Sequence, residues 1–158
     1  MSSSCKNNNV NNVSDENHAT EYTYEDFHKI FYDENGALPF KKVVTNLMDK
    51  HKITKPMVAD RVKFSDTNIK KYRNGFYKGA SLNAAMKFCI AMELPLAESI
   101  ELLKIIGINI TNFDNPKNYH FFYLLVEVSN KKIKTLKQAN EYLAKVSDYQ
   151  IPSTKMEA

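Results

Sequence analysis

The chain has 158 residues, a formal net charge of +4 and two cysteines, Cys5 and Cys89, which fits one compact domain with tails and excludes a disulfide-built scaffold. The N-terminus, MSSSCKNNNV, has neither a basic n-region nor an apolar h-region, and the longest apolar stretches fall far short of a membrane span, so a cytoplasmic setting is expected and secretion or membrane insertion is not. Charge is segregated: residues 38–80 hold eleven lysines and arginines against three acids, about +8, whereas residues 14–34 hold seven acids against one lysine, about −6.

Residues 1–22 are rich in Asn and Ser and lack hydrophobic periodicity, so a disordered tail is expected there. Thr23 and Asp26 have capping-box spacing and open a short acidic helix with Tyr24, Phe27, Ile30 and Phe31 as its apolar stripe; a turn at 33–36 closes this segment, 23–36. A helix over 38–50 follows, with Phe40, Val43, Val44 and Leu47 facing inward. Gly36, Gly75, Gly79 and Gly107 fall at helix ends or loops, and Pro39, Pro56, Pro95 and Pro116 fall at helix starts. That asymmetry, without any alternating β-branched run, predicts an all-α chain and no strands.

The segment TKPMVADRVKFSDTNIKKYRNG, residues 54–75, is the most informative in the chain. Thr54 caps a helix, Pro56 occupies its first turn, and Val58, Ala59 and Val62 make one apolar face. Lys63 and Phe64 form a turn with Phe64 tucked inward, and Ser65 caps a second helix over 66–74 that ends at Gly75. Ile69 and Tyr72 point inward from that helix, while Lys70, Lys71 and Arg73 give it a basic character. Two short helices in tight sequence with a basic second member form a helix-turn-helix, which places one helix in the DNA major groove.

After an aromatic and basic loop containing Tyr77 and Lys78, Ser81 caps a helix to about 92 with Leu82, Ala85, Met86 and Cys89 on one face. Pro95 starts another, through Ile100, Leu103 and Ile106 to Gly107. These helices complete a domain over 37–110. In the extension, 111–147, Pro116 opens a helix whose apolar residues run most of the way round, so burial on more than one side is expected. Thr135 and Gln138 have capping-box spacing and open a last helix with Leu136, Ala139, Tyr142, Leu143 and Val146 inward. Residues 148–158 read as a tail.

With Thr54, Val58-Ala59, Ser65, Ile69, Gly75 and the Ser81-Leu82 helix start in place, residues 38–107 resemble the phage Cro/repressor-like (XRE) helix-turn-helix family. The resemblance implies a five-helix lambda-repressor-like bundle, here followed by two C-terminal helices, and a DNA-binding transcriptional regulator of bacterial or phage type. It also implies that Asp66, Thr67 and Lys71 meet base edges and that Lys55 and Asn74 meet phosphates. Lys70, Arg73, Tyr77 and Lys78 join the candidate DNA-binding set from their position on or just after the second helix. The sequence departs from the family at Lys63, often Gly, at Arg73, often Glu, and at the anionic Asp66.

The implied partner is double-stranded DNA. A homodimer contact through the C-terminal helices is a candidate, with Phe121, Phe122, Leu125 and Tyr142 offering an apolar face. The alternative reading is a protein-interaction module that keeps the fold without reading DNA. No Walker loop, nucleophile elbow or paired His/carboxylate motif occurs, and His18, His28, His51 and His120 lack partners at ligand spacing. No catalytic residue, cofactor or metal is expected.

Overall fold

The computed structural model describes residues 21–64 and 81–153. Among these the order is α1 (Tyr24–Phe31), β1 (Tyr32–Asp33), β2 (Gly36–Ala37), α2 (Phe40–His51), α3 (Lys55–Val62), α4 (Leu82–Ala91), α5 (Leu96–Ile105), α6 (Pro116–Ser129) and α7 (Leu136–Val146). The fold is all-helical apart from one two-residue hairpin, in which Tyr32 pairs with Ala37 and Asp33 with Gly36. The hairpin corrects the expectation of no strands. It is too short for a hydrophobic signature, and it is fixed by a tight turn, where the Asn35 amide donates to Asp33 Oδ1 at 2.8 Å and Gly36 takes φ +116°.

Helix starts follow local chemistry. The Thr23 hydroxyl accepts from the Asp26 amide and the Asp26 carboxylate accepts from the Thr23 amide, a complete capping box. Thr54, Ser81, Asn115 and Thr135 each accept from an amide in the first turn of α3, α4, α6 and α7. At α7 the reciprocal bond differs from the expected box, because Gln138 accepts from the Lys134 amide, one residue before the cap.

One continuous core runs from Ile30 to Ile151. Its axis is α4, where every residue from Ala84 to Ala91 is buried, rather than one face as its spacing predicts. The cause is topological: α3, α5, α6 and α7 all pack against it. Helix α1 packs on α2 and α5, so the acidic segment is part of the bundle. Its Phe31 is fully buried, while Tyr24 stays exposed.

Three further expectations need correction. Tyr22, assigned to the N-terminal tail, is anchored by a 2.8 Å hydrogen bond from its hydroxyl to Glu98. Ile151, assigned to the C-terminal tail, is buried, and Asn140 fixes it by accepting from its amide and donating to its carbonyl. Val146 is exposed instead of inward, since α7 buries Leu136, Ala139 and Leu143 and turns away at its end.

Candidate nucleic-acid interface

Thr54 accepts from the Met57 amide and Pro56 sits in the first turn, so α3 starts where its sequence dictates. It buries Val58 and Val62 against α4, with half-buried Ala59 allowing close approach. The helix stops at Lys63, which takes the left-handed conformation at φ +61° while its amide donates to the Ala59 carbonyl. The turn geometry is therefore the one a glycine would supply, adopted here by a lysine at a cost of about 1 kcal/mol. Phe64 then drops into the core, edge-on to Phe88 at 5.3 Å between centroids. The buried Lys87 lays its ammonium 4.8 Å from the centre of the Phe64 ring. Phe64 is thus pinned, and with it the point from which the next segment departs.

Of the nine candidate DNA contacts, Lys55 lies among the described residues, half-buried at the first position of α3. Asp66, Thr67, Lys70, Lys71, Arg73, Asn74, Tyr77 and Lys78 lie outside them, as do Ile69 and Tyr72. Seven of the eleven basic residues in the 38–80 window are described, and two of these seven are engaged in ion pairs. Lys50 pairs with Glu98, and Arg61 pairs with Glu93 at 3.3 Å while donating to the Ala91 carbonyl at 2.6 Å. Lys41, Lys42, Lys52 and Lys63 are exposed.

Glu98 is a site that sequence reasoning missed. Its side chain is 1% exposed, on the first turn of α5. It accepts from the Tyr22 hydroxyl at 2.8 Å, from Lys50 Nζ, and lies 2.7 Å from His51 Nε2. Lys50 Nζ also sits over the Tyr22 ring at 3.3 Å. Burial alone would raise the carboxyl pKa, but the bonds from His51, Lys50 and Tyr22 outweigh it and hold the group below its usual range. This cluster ties the segment before α1 and α5 to the end of α2, directly before the turn that leads into α3. The partners lie far apart in sequence, so no spacing reveals them. Cys89 is fully buried, with burial pushing its thiol up to about 12, which makes it a core residue and not a reactive one.

Residues 44–113 match the Cro/C1-type HTH DNA-binding domain family. This segment is a Cro/C1-type helix-turn-helix domain. It spans α3, α4 and α5 with most of α2, and leaves α6 and α7 as additional C-terminal helices. Comparison with curated proteins and with solved structures gives no match. Cro/C1-type domains bind rather than catalyse, and no group of three metal-ligating side chains occurs among the described residues. No described helix is long and apolar enough to cross a membrane.

Proposed function

We propose that the protein is a sequence-specific DNA-binding transcriptional regulator that sets residues 66–74 into the major groove. The observation that carries this reading is the Cro/C1-type match over residues 44–113. The capped α3 and the left-handed Lys63 support it, since they give the entry geometry such a second helix requires. Asp66, Thr67 and Lys71 read base edges, Lys55 and Asn74 hold phosphates, and Lys70, Arg73, Tyr77 and Lys78 contact the backbone around them. The protein acts in the cytoplasm and pairs with a second copy through its C-terminal helices, because one recognition helix reads too few bases for strong specificity.

A gel shift across salt concentrations tests the reading. If Lys55, Lys70, Arg73 and Lys78 each neutralise a phosphate, log K falls with log salt at a slope of about −3.6 per chain. Affinity then drops about 150-fold between roughly 50 and 200 mM salt. A folded Lys70/Lys71/Arg73 triple alanine variant with undiminished DNA affinity would refute it.

A further inference from the structure

We infer that Glu93 is a positioning residue for DNA binding: through Arg61 it holds the outgoing end of α3, and through Lys131 it ties that end to the C-terminal helices. The assignment rests on the DNA-binding reading above.

The backbone around Glu93 asks for a different residue. Helix α4 ends in a closed cap, in which the Glu93 amide donates to the Ile90 carbonyl at 3.1 Å and the Leu94 amide to the Cys89 carbonyl at 3.2 Å. Such a cap needs a left-handed residue, and Glu93 supplies it at φ +50°, where glycine meets no steric cost. Among the described residues three other non-glycine residues have positive φ: Lys52, Lys63 and Lys131, which follow α2, α3 and α6. Those three are cations, and the helix dipole favours a cation at a helix C-terminus. Glu93 is the anion of the four and opposes that dipole. Neither the local backbone nor helix electrostatics accounts for a carboxylate here, so its reason lies in what the side chain holds.

The two carboxylate oxygens face two different elements. Oε2 accepts from Arg61 Nη1 at 3.3 Å, one residue before the end of α3. Oε1 lies 3.9 Å from Lys131 Nζ, in the turn between α6 and α7, and that ammonium also donates to the Glu93 carbonyl at 3.1 Å. Arg61 Nη1 donates as well to the carbonyl of Ala91, the last residue of α4, at 2.6 Å. The Arg61 guanidinium thus faces the α4–α5 turn, and its charge is spent there and not on a phosphate.

Helix α3 needs such a brace. It has eight residues, just over two turns, and fully buries only Val58 and Val62. Hydrophobic burial is non-directional, so this short apolar face leaves the helix free to roll and tilt. The bonds from Arg61 are directional. They act two residues before Lys63, the end from which the proposed recognition segment departs. Base readout tolerates displacements of only about 0.5 Å, so a brace at that end bears on specificity.

Glu93→Gly tests this. The probes are duplex DNA selected by the native chain from a random-sequence pool, and the unselected pool as control. Glycine suits the cap, so the melting temperature should hold. Affinity for the selected duplex should fall about tenfold, while affinity for the unselected pool does not fall and the salt slope is unchanged. Loss of a negative charge alone would instead tighten binding to both probes. Lys131→Met should weaken the selected duplex in the same direction at an unchanged slope; a slope smaller by about 0.9 would make Lys131 a phosphate contact and overturn its place in the brace. If Glu93→Gly melts early, Glu93→Gln carries the same expectation. A folded Glu93 variant that binds the selected duplex as tightly as the native chain overturns the assignment and leaves the regulator reading standing. A native chain that enriches no sequence from the pool sinks the regulator reading, and the assignment with it.

Discussion

Glu98→Gln isolates the buried ionic cluster, because glutamine keeps the volume and removes the charge. The carboxylate is 1% exposed and holds Tyr22, Lys50 and His51. Breaking a fully buried ion pair by removing one partner costs about 3–5 kcal/mol, mostly because the other charge stays stranded. Here Lys50 is 29% and His51 21% exposed, so both can turn toward water. That relief brings the expected loss to about 2 kcal/mol, or about 4–8 °C in melting temperature for a chain of this size. Urea unfolding should show a lower midpoint at unchanged slope. The loss should also depend on pH. The folded-state carboxyl titrates below its usual value, so its stabilisation is complete above the unfolded value of about 4.3 and disappears as pH falls through the lower folded value. The gap between native chain and variant should be full at neutral pH and close in acid. A variant within about 0.5 kcal/mol of the native chain at neutral pH, or a gap that persists unchanged in acid, refutes the reasoning.

Tyr22→Phe removes one donor from the same carboxylate and should cost about 1 kcal/mol by urea unfolding, less than Glu98→Gln. Lys63→Gly places the residue suited to φ +61° at the end of α3 and should raise the urea midpoint by the equivalent of up to about 1 kcal/mol. Ile151→Ala should lose about 2–4 kcal/mol in the same assay, a result a free tail would not give. In gel shifts Lys71→Ala should weaken the preferred sequence by about 1–3 kcal/mol, whereas Lys55→Ala should weaken all sequences alike.

What was legible in the sequence was what is decided locally. Thr23, Thr54, Ser81 and Thr135 cap helices through bonds to amides three residues on, so the signal and the structure share one window. Val58, Val62 and Phe64 are readable as core because the apolar stripe of α3 and the residue just after it face mainly α4. Burial decided at long range was not readable. Glu98 looks like an ordinary helical acid until Tyr22, Lys50 and His51 converge on it from 76, 48 and 47 residues away. The α4 helix shows one apolar face in its spacing yet is buried all round, because small Ala84, Ala85 and Ala91 admit neighbours on several sides. In α6 the near-continuous apolar pattern predicts burial on more than one side, and the helix packs on α4, α5 and α7 while Tyr119 and Tyr123 stay exposed. Of the candidate DNA contacts, all but Lys55 lie outside the described residues.

The two C-terminal helices bear directly on the helix-turn-helix domain and are not a detachable appendage. Helices α6 and α7 both pack on α4, and α7 also touches α3. A polar clasp crosses the same boundary. Glu93 takes a left-handed conformation at φ +50°, pairs with Arg61 of α3 at 3.3 Å and lies 3.9 Å from Lys131 Nζ, which also donates to the Glu93 carbonyl. Ser129, at the end of α6, accepts from the Leu96 amide and so satisfies an orphan donor at the start of α5. Cutting the chain after the family match at residue 113 would strip the cover from Ala84–Ala91 and unpair these groups together, so such a truncation would report unfolding before it reported dimerisation.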